Sequence, residues 1–115
     1  MVFPVPRRSD GGANRSPVAW QNLSADGAIT TDMASVLLSY AGATAATLAA
    51  PDASMNGFTM HIVSSVAQAH VITATNLING NDDTLTWGGA IGDSCTLMAW
   101  DSEWLTMQLT NVTVG

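Results

Sequence analysis

The stretch from Gly88 to Leu109 constrains this chain more than any other. It opens on a glycine-rich turn, Gly88-Gly89-Ala90-Ile91-Gly92-Asp93. An alternating run follows, Ser94-Cys95-Thr96-Leu97-Met98-Ala99-Trp100, then the polar pair Asp101-Ser102, then Glu103-Trp104-Leu105-Thr106-Met107-Gln108-Leu109. Successive side chains of a strand point to opposite faces, so a period of two reads as strand. Two such runs about a short polar link predict a β-hairpin. A two-residue link would oppose Trp100 to Glu103 and Ala99 to Trp104. One face then carries Met98, Trp100, Leu105, Met107 and Leu109. The other carries Cys95, Leu97, Ala99 and Trp104, alongside Thr106 and Gln108. A small sheet ordinarily hides one face and wets the other. Two partly apolar faces predict that one packs in the core and the other against a neighbour, a loop or an arm.

The same period recurs along the chain. Gly27 to Thr31 reads as a short strand. Phe58-Thr59-Met60-His61-Ile62-Val63 alternates and puts Phe58, Met60 and Ile62 on one face, with His61 on the other. His70 to Thr75 and Thr84 to Trp87 are further strands, the latter stopped by Gly88-Gly89, and Val112 to Val114 would extend the last strand of the hairpin. Pro51 to Gly57 and Asn79 to Asp83 are dense in turn residues. Met33 to Ala50 is ambiguous. Met33, Val36, Leu37 and Tyr40 have helical spacing behind a candidate N-cap, Asp32. Gly42, Thr44 and Thr47 oppose a helix, and two strands joined near Ala41-Gly42-Ala43 are the favoured reading. Roughly six to eight short strands at turn spacing predict an all-β domain: a small β-sandwich or barrel of short antiparallel strands, or an interdigitated oligomer of sheets.

Charge divides the chain in two. Its 115 residues include three basic residues, Arg7, Arg8 and Arg15, and no lysine. From Ser16 onward every charged side chain is acidic: Asp26, Asp32, Asp52, Asp82, Asp83, Asp93, Asp101 and Glu103. Residues 1–20 also hold three of the four prolines and the pair Gly11-Gly12, which predicts an extended N-terminal arm ahead of a β-rich domain at 21–115. An acidic body repels phosphates, so a nucleic-acid partner is not expected. Charged residues make up 10% of the chain against about 25% in ordinary soluble proteins. A surface so poor in charge suits lasting contact with copies of itself or a partner. No apolar run reaches the roughly 18 residues of a membrane span, and the N-terminus lacks the apolar block of a signal peptide. A chain made in a cytoplasm and either kept there or assembled there into something larger, without a membrane partner, is expected.

Catalytic and metal-binding patterns are weak. The single cysteine, Cys95, rules out an internal disulfide and a cysteine-based zinc site, and its place in a strand predicts a buried, inert thiol. His61 and His70 have no third ligand at a useful spacing, so neither a metal nor another cofactor is expected. Ser64, His70 and Asp93 can be assembled into a triad, but in a chain rich in Ser and Asp, without a G-x-S-x-G motif, the match has little specificity. Asn79 to Asp83 lacks the full calcium-loop pattern. The pairs Asp82/Asp83 and Asp101/Glu103 could serve a glycosidase, but both fall at turns, where solvated acids are ordinary. Trp20, Trp87, Trp100 and Trp104 suit packing, with sugar stacking as an alternative.

Four strings taken in order carry a resemblance. Gly42-Ala43-Thr44-Ala45-Ala46-Thr47-Leu48-Ala49-Ala50-Pro51 precedes Gly57-Phe58-Thr59-Met60-His61-Ile62-Val63-Ser64. Ala67-Gln68-Ala69-His70-Val71-Ile72-Thr73 then leads to the Gly-Gly-Ala-Ile-Gly-Asp-Ser hairpin with Trp104. Over residues 27 to 114 these resemble small β-structured virion proteins of tailed bacteriophages, which decorate or cement capsids or form head and tail fibres. The resemblance implies a homotrimer on the outer capsid surface, bound to the major capsid protein, with no enzymatic activity. The arm lies outside the match. Its Phe3, Arg7, Arg8 and Arg15, with Trp20, are the expected capsid contacts, and Trp87, Met98, Trp100, Trp104, Leu105 and Met107 the expected core or oligomer contacts. A fibre module binding a host glycan is the alternative, and a small hydrolase using paired carboxylates the third reading.

Overall fold

A computed structural model describes residues 20–115 of the chain. The elements are β1 (Trp20–Leu23), β2 (Gly27–Ile29), β3 (Ser35–Leu38), β4 (Ala45–Leu48), a 3-10 turn (Ala53–Met55), β5 (Thr59–Ser64), β6 (Val71–Ile78), β7 (Asp82–Trp87), β8 (Ser94–Trp100), β9 (Glu103–Thr110) and β10 (Val112–Val114). No α-helix occurs among the described residues. The all-β class is as the alternation predicts. The ambiguous stretch resolves into β3 and β4, because Val36 and Leu38 go inward while Leu37 between them stays at the surface side. That is period two, and it overrides the helical spacing of Met33, Val36, Leu37 and Tyr40.

The first six strands form a coil. The chain alternates between two stacks, β1-β3-β5 and β2-β4-β6, and every pairing within them is parallel. Val36 lies between Gln21 and Ile62, and Ala46 between Gly27 and Ile72. Parallel neighbours need a crossover between them, ordinarily a helix. Here the crossover from one strand to its parallel neighbour is a strand of the opposite stack, as in a solenoid. The second half is antiparallel as expected: β8 pairs with β5 and β9, and β7 with β6 and β10. Val112 to Val114 does not prolong β9. The chain turns at Asn111, whose φ is +53°, and β10 pairs with β7.

The strand path runs β1-β3-β5-β8-β9-β6-β4-β2, so the two ends of the sheet are consecutive in sequence and the sheet is nearly closed into a barrel. Gln21 spans the seam. Its side-chain amide donates to Ala28 C=O at 3.1 Å and accepts from Thr30 N–H at 2.9 Å. A carboxamide carries one donor face and one acceptor, so it stands in for the missing peptide of a paired strand. At the other join, β9 meets β6 through one pair, Ile78 with Trp104. A bulge between Thr73 and Ile78 frees that end of β6 from β4. It is held by Asp83, whose carboxylate accepts Asn76 N–H at 2.8 Å.

The core fills the space between the walls. Val36, Ile62 and Cys95 form one cross-strand row, and Met60 and Leu97 begin another, all buried. Trp87 and Trp104 are the largest buried side chains. Burying an aromatic or large aliphatic side chain contributes about 1.5–3 kcal/mol. Each indole N–H is satisfied, that of Trp87 by Asp93 C=O at 2.9 Å and that of Trp104 by Ala49 C=O at 3.0 Å.

Candidate functional site

The arrangement most like an active site is Ser64 with His70. His70 sits at the entry to β6 and is fully buried, as is Ser64 at the end of β5. Ser64 Oγ lies 3.0 Å from His70 Nε2. The rest of the network fixes the direction of that bond. Thr44 N–H donates to His70 Nδ1 at 2.9 Å, so the neutral ring carries its proton on Nε2. The ring therefore donates to Ser64 Oγ, and the Ser64 hydroxyl donates to Val66 C=O at 2.6 Å. A general base needs the reverse, a ring lone pair facing the hydroxyl proton. Burial holds the His70 pKa below its ordinary value, which keeps the ring neutral. The Asp93 carboxylate is engaged elsewhere, accepting from Ala90 N–H at 2.8 Å and Asn111 Nδ2 at 2.9 Å. Only the main chain of Asp93 reaches Ser64, through Ser64 N–H to Asp93 C=O at 3.0 Å. The three residues meet, but they tie β5, the entries to β4 and β6, and the β7–β8 loop together.

That loop is closely fitted. Gly88 N–H donates to Asn111 C=O at 2.9 Å, and a Cβ on Gly88 would lie 2.2 Å from Asn111 Nδ2. Glycine is required there by contact with the amide that holds Asp93. Among the described residues no group of three His, Cys, Asp or Glu is placed to hold a metal. In the Asn79–Asp83 turn, the Asn79 amide bonds Thr106 through N–H and Oγ1, each at 3.0 Å. Asp82 and Asp83 are successive strand residues and point to opposite faces. The Cys95 thiol is buried and pushed up to about 12, which leaves it unreactive as a thiolate.

The outer wall has a different character. The hairpin register is as anticipated: Trp100 opposes Glu103, Ala99 opposes Trp104 and Met98 opposes Leu105. Ala99 and Trp104 go inward. Met98 and Leu105 are half-buried on the outside, where Trp100 is 54% and Met107 58% exposed. A register shift between Thr96 and Leu97 leaves Met107 outside the regular pairing and opposes Leu109 to Cys95 and Gln108 to Thr96, so these two exchange the faces that strict alternation predicts for them. The link Asp101-Ser102 has φ of +52° and +61°, the twist of a type I′ turn. Asn56 anchors it, accepting Asp101 N–H at 2.9 Å. An apolar strip thus ends in two carboxylates, Asp101 and Glu103.

Of the expected contact residues, Trp87 and Trp104 are core, Met98, Trp100, Leu105 and Met107 share the outer strip, and Trp20 is 57% exposed on β1. Phe3, Arg7, Arg8 and Arg15 lie outside the described residues. Glu103 lies beside Trp100 on one surface, next to the Asp101-Ser102 turn, as their opposed positions predict. Strand parity across a two-residue link already places Glu103 beside Trp100, so the signal was present. No protein-family model, curated protein or solved structure matches this chain.

Proposed function

We propose that this chain is a non-catalytic structural protein that decorates and cements the outer surface of a bacteriophage capsid as an oligomer. The phage setting and the trimer follow from the sequence resemblance. The observation that supports an assembly role is the outer strip, with Trp100 and Met107 exposed beside Met98 and Leu105, on a body that carries no lysine or arginine. Clustered exposed apolar side chains mark surfaces that a partner covers. The partners in this reading are other copies of the chain and the major capsid protein, with the arginine-bearing arm reaching an acidic shell surface. Binding the assembled shell and not its dissociated parts stabilises the shell by mass action.

Electron microscopy of virions produced with and without the protein tests this reading. Trimeric density on the shell, lost without the protein, is the expected result. Unchanged particles, or a loss confined to the tail, overturn it. Trp20 and Trp100 both stand exposed on the outer wall, which favours glycan stacking by a fibre module as the second reading. Glycan binding abolished by Trp100→Ala would select that alternative.

A further inference from the structure

The strip of Met98, Trp100 and Leu105, with Asp101 and Glu103 at its end, lacks a matching partner within the body. Its carboxylates have no cationic side chain to pair with among the described residues, because residues 20–115 contain no lysine or arginine. We propose that this strip is the docking site for the chain's own segment Val2-Phe3-Pro4-Val5-Pro6-Arg7-Arg8, bound intramolecularly. The inference goes beyond the capsid reading and does not depend on which partner the assembled protein has.

Chemistry makes the first argument. The segment is apolar and proline-bearing for five residues and then doubly basic. The strip is apolar along its length and doubly acidic at the turn. Proline fixes φ, so such a segment loses little entropy on docking against an exposed aromatic ring. An arginine beside an exposed indole and two carboxylates gains cation–π and charge-assisted contacts together.

Direction and reach make the second. Trp20 shares an outer-wall row with Ser35, His61 and Thr96. β1 runs parallel to β5, and β5 runs antiparallel to β8. Moving back from Trp20 toward lower numbers therefore heads for the row of Thr59, Met98 and Leu105, and then for the Trp100–Glu103 turn. Trp100 lies three strands across and four residues along from Trp20, roughly 20 Å over the sheet. The chain between Arg8 and Trp20 spans up to roughly 40 Å when extended. The reach is sufficient, and Gly11-Gly12 allows the chain to bend back. Tethering also raises the local concentration of the segment to about millimolar, so a weak contact is populated within one chain.

The buried, unreactive Cys95 permits a selective test on the full chain. Ser9→Cys labels with a nitroxide beside Arg8. In the isotope-labelled, spin-labelled chain, the amide signals of Met98, Trp100 and Leu105 should lose most of their intensity relative to the reduced label. Those of β7 and β10 should not. Arg7→Glu with Arg8→Glu should restore the signals, and so should 1 M salt, where the Debye length falls to about 3 Å. Full intensity at Met98, Trp100 and Leu105 in the spin-labelled chain overturns the proposal. So does equal broadening when an isotope-labelled chain without the nitroxide is mixed with an unlabelled nitroxide chain, because the occupant is then a second copy.

Discussion

His70 shows how a buried titratable residue can serve architecture. Its ring accepts from Thr44 N–H and donates to Ser64 Oγ, and only the neutral ring can do both. Protonation turns Nδ1 into a donor facing another donor, in a place already desolvated. The folded pKa is thus depressed, as burial dictates, while the unfolded chain titrates near 6.5. Between the folded and unfolded values the unfolded state binds more protons, so stability rises with pH there. The His70 contribution is complete above about pH 6.5 and is lost as pH falls below it, with a slope of at most about 1.4 kcal/mol per pH unit. Urea midpoints measured from pH 8 to pH 5 should fall on the acid side. His70→Gln, whose amide can still accept from Thr44 and donate to Ser64, should remove that slope; an unchanged profile would refute the assignment. Sequence placed Ser64 and His70 as candidate partners but could not orient their bond. The tautomer is set by Thr44, an amide 26 residues away, and nothing local announces it.

At the scale of elements, parity carried the reading. From the turn back to Leu97 the β8–β9 register followed from alternation about a two-residue link, because a shift by one residue would send Trp104 outward and Trp100 into the core; the bulge at Met107, which exchanges the faces of Gln108 and Leu109, breaks the alternation and was not legible. The parallel stacking of β1 to β6 was not legible, since a strand alternates in the same way whichever direction its neighbour runs. The turn itself carries a cost. Asp101 and Ser102 both adopt positive φ, which disfavours a side chain by roughly 1–2 kcal/mol per residue. Among the described residues Ser102 makes no side-chain hydrogen bond that would offset it. Ser102→Gly should therefore stabilise the protein by about 1 kcal/mol, partly offset by the greater entropy of glycine in the unfolded chain. The shift is measurable as a higher denaturant midpoint at constant m-value. Asp101 is left in place because it belongs to the acidic end of the strip.

Across the whole molecule, cohesion is uneven. β8 has seven residues and is paired on both sides, by β5 and β9. β1 and β2 have four and three residues, and among the described residues each is paired on one side only. In a coil whose turns touch only their neighbours, the end turn opens first. Amide exchange should therefore be slowest at Cys95, Leu97 and Ala99 and fastest in β2, with β1 next. The seam decides how steep the gradient is. Among the described residues Gln21 alone bridges β1 to β2 by side-chain hydrogen bonds, and each net hydrogen bond contributes about 0.5–1.5 kcal/mol. Gln21→Ala removes two such bonds and should speed exchange in β1 and β2 by roughly fivefold to a hundredfold, since each 1.4 kcal/mol is a factor of ten, and leave β8 unchanged. Equal acceleration in β8 would mean that the barrel opens as one unit, with the seam as part of its global stability. Exchange confined to the first coil would mean that the solenoid half frays independently. In that case the end bearing Trp20 is the part of the molecule free to rearrange when a partner arrives.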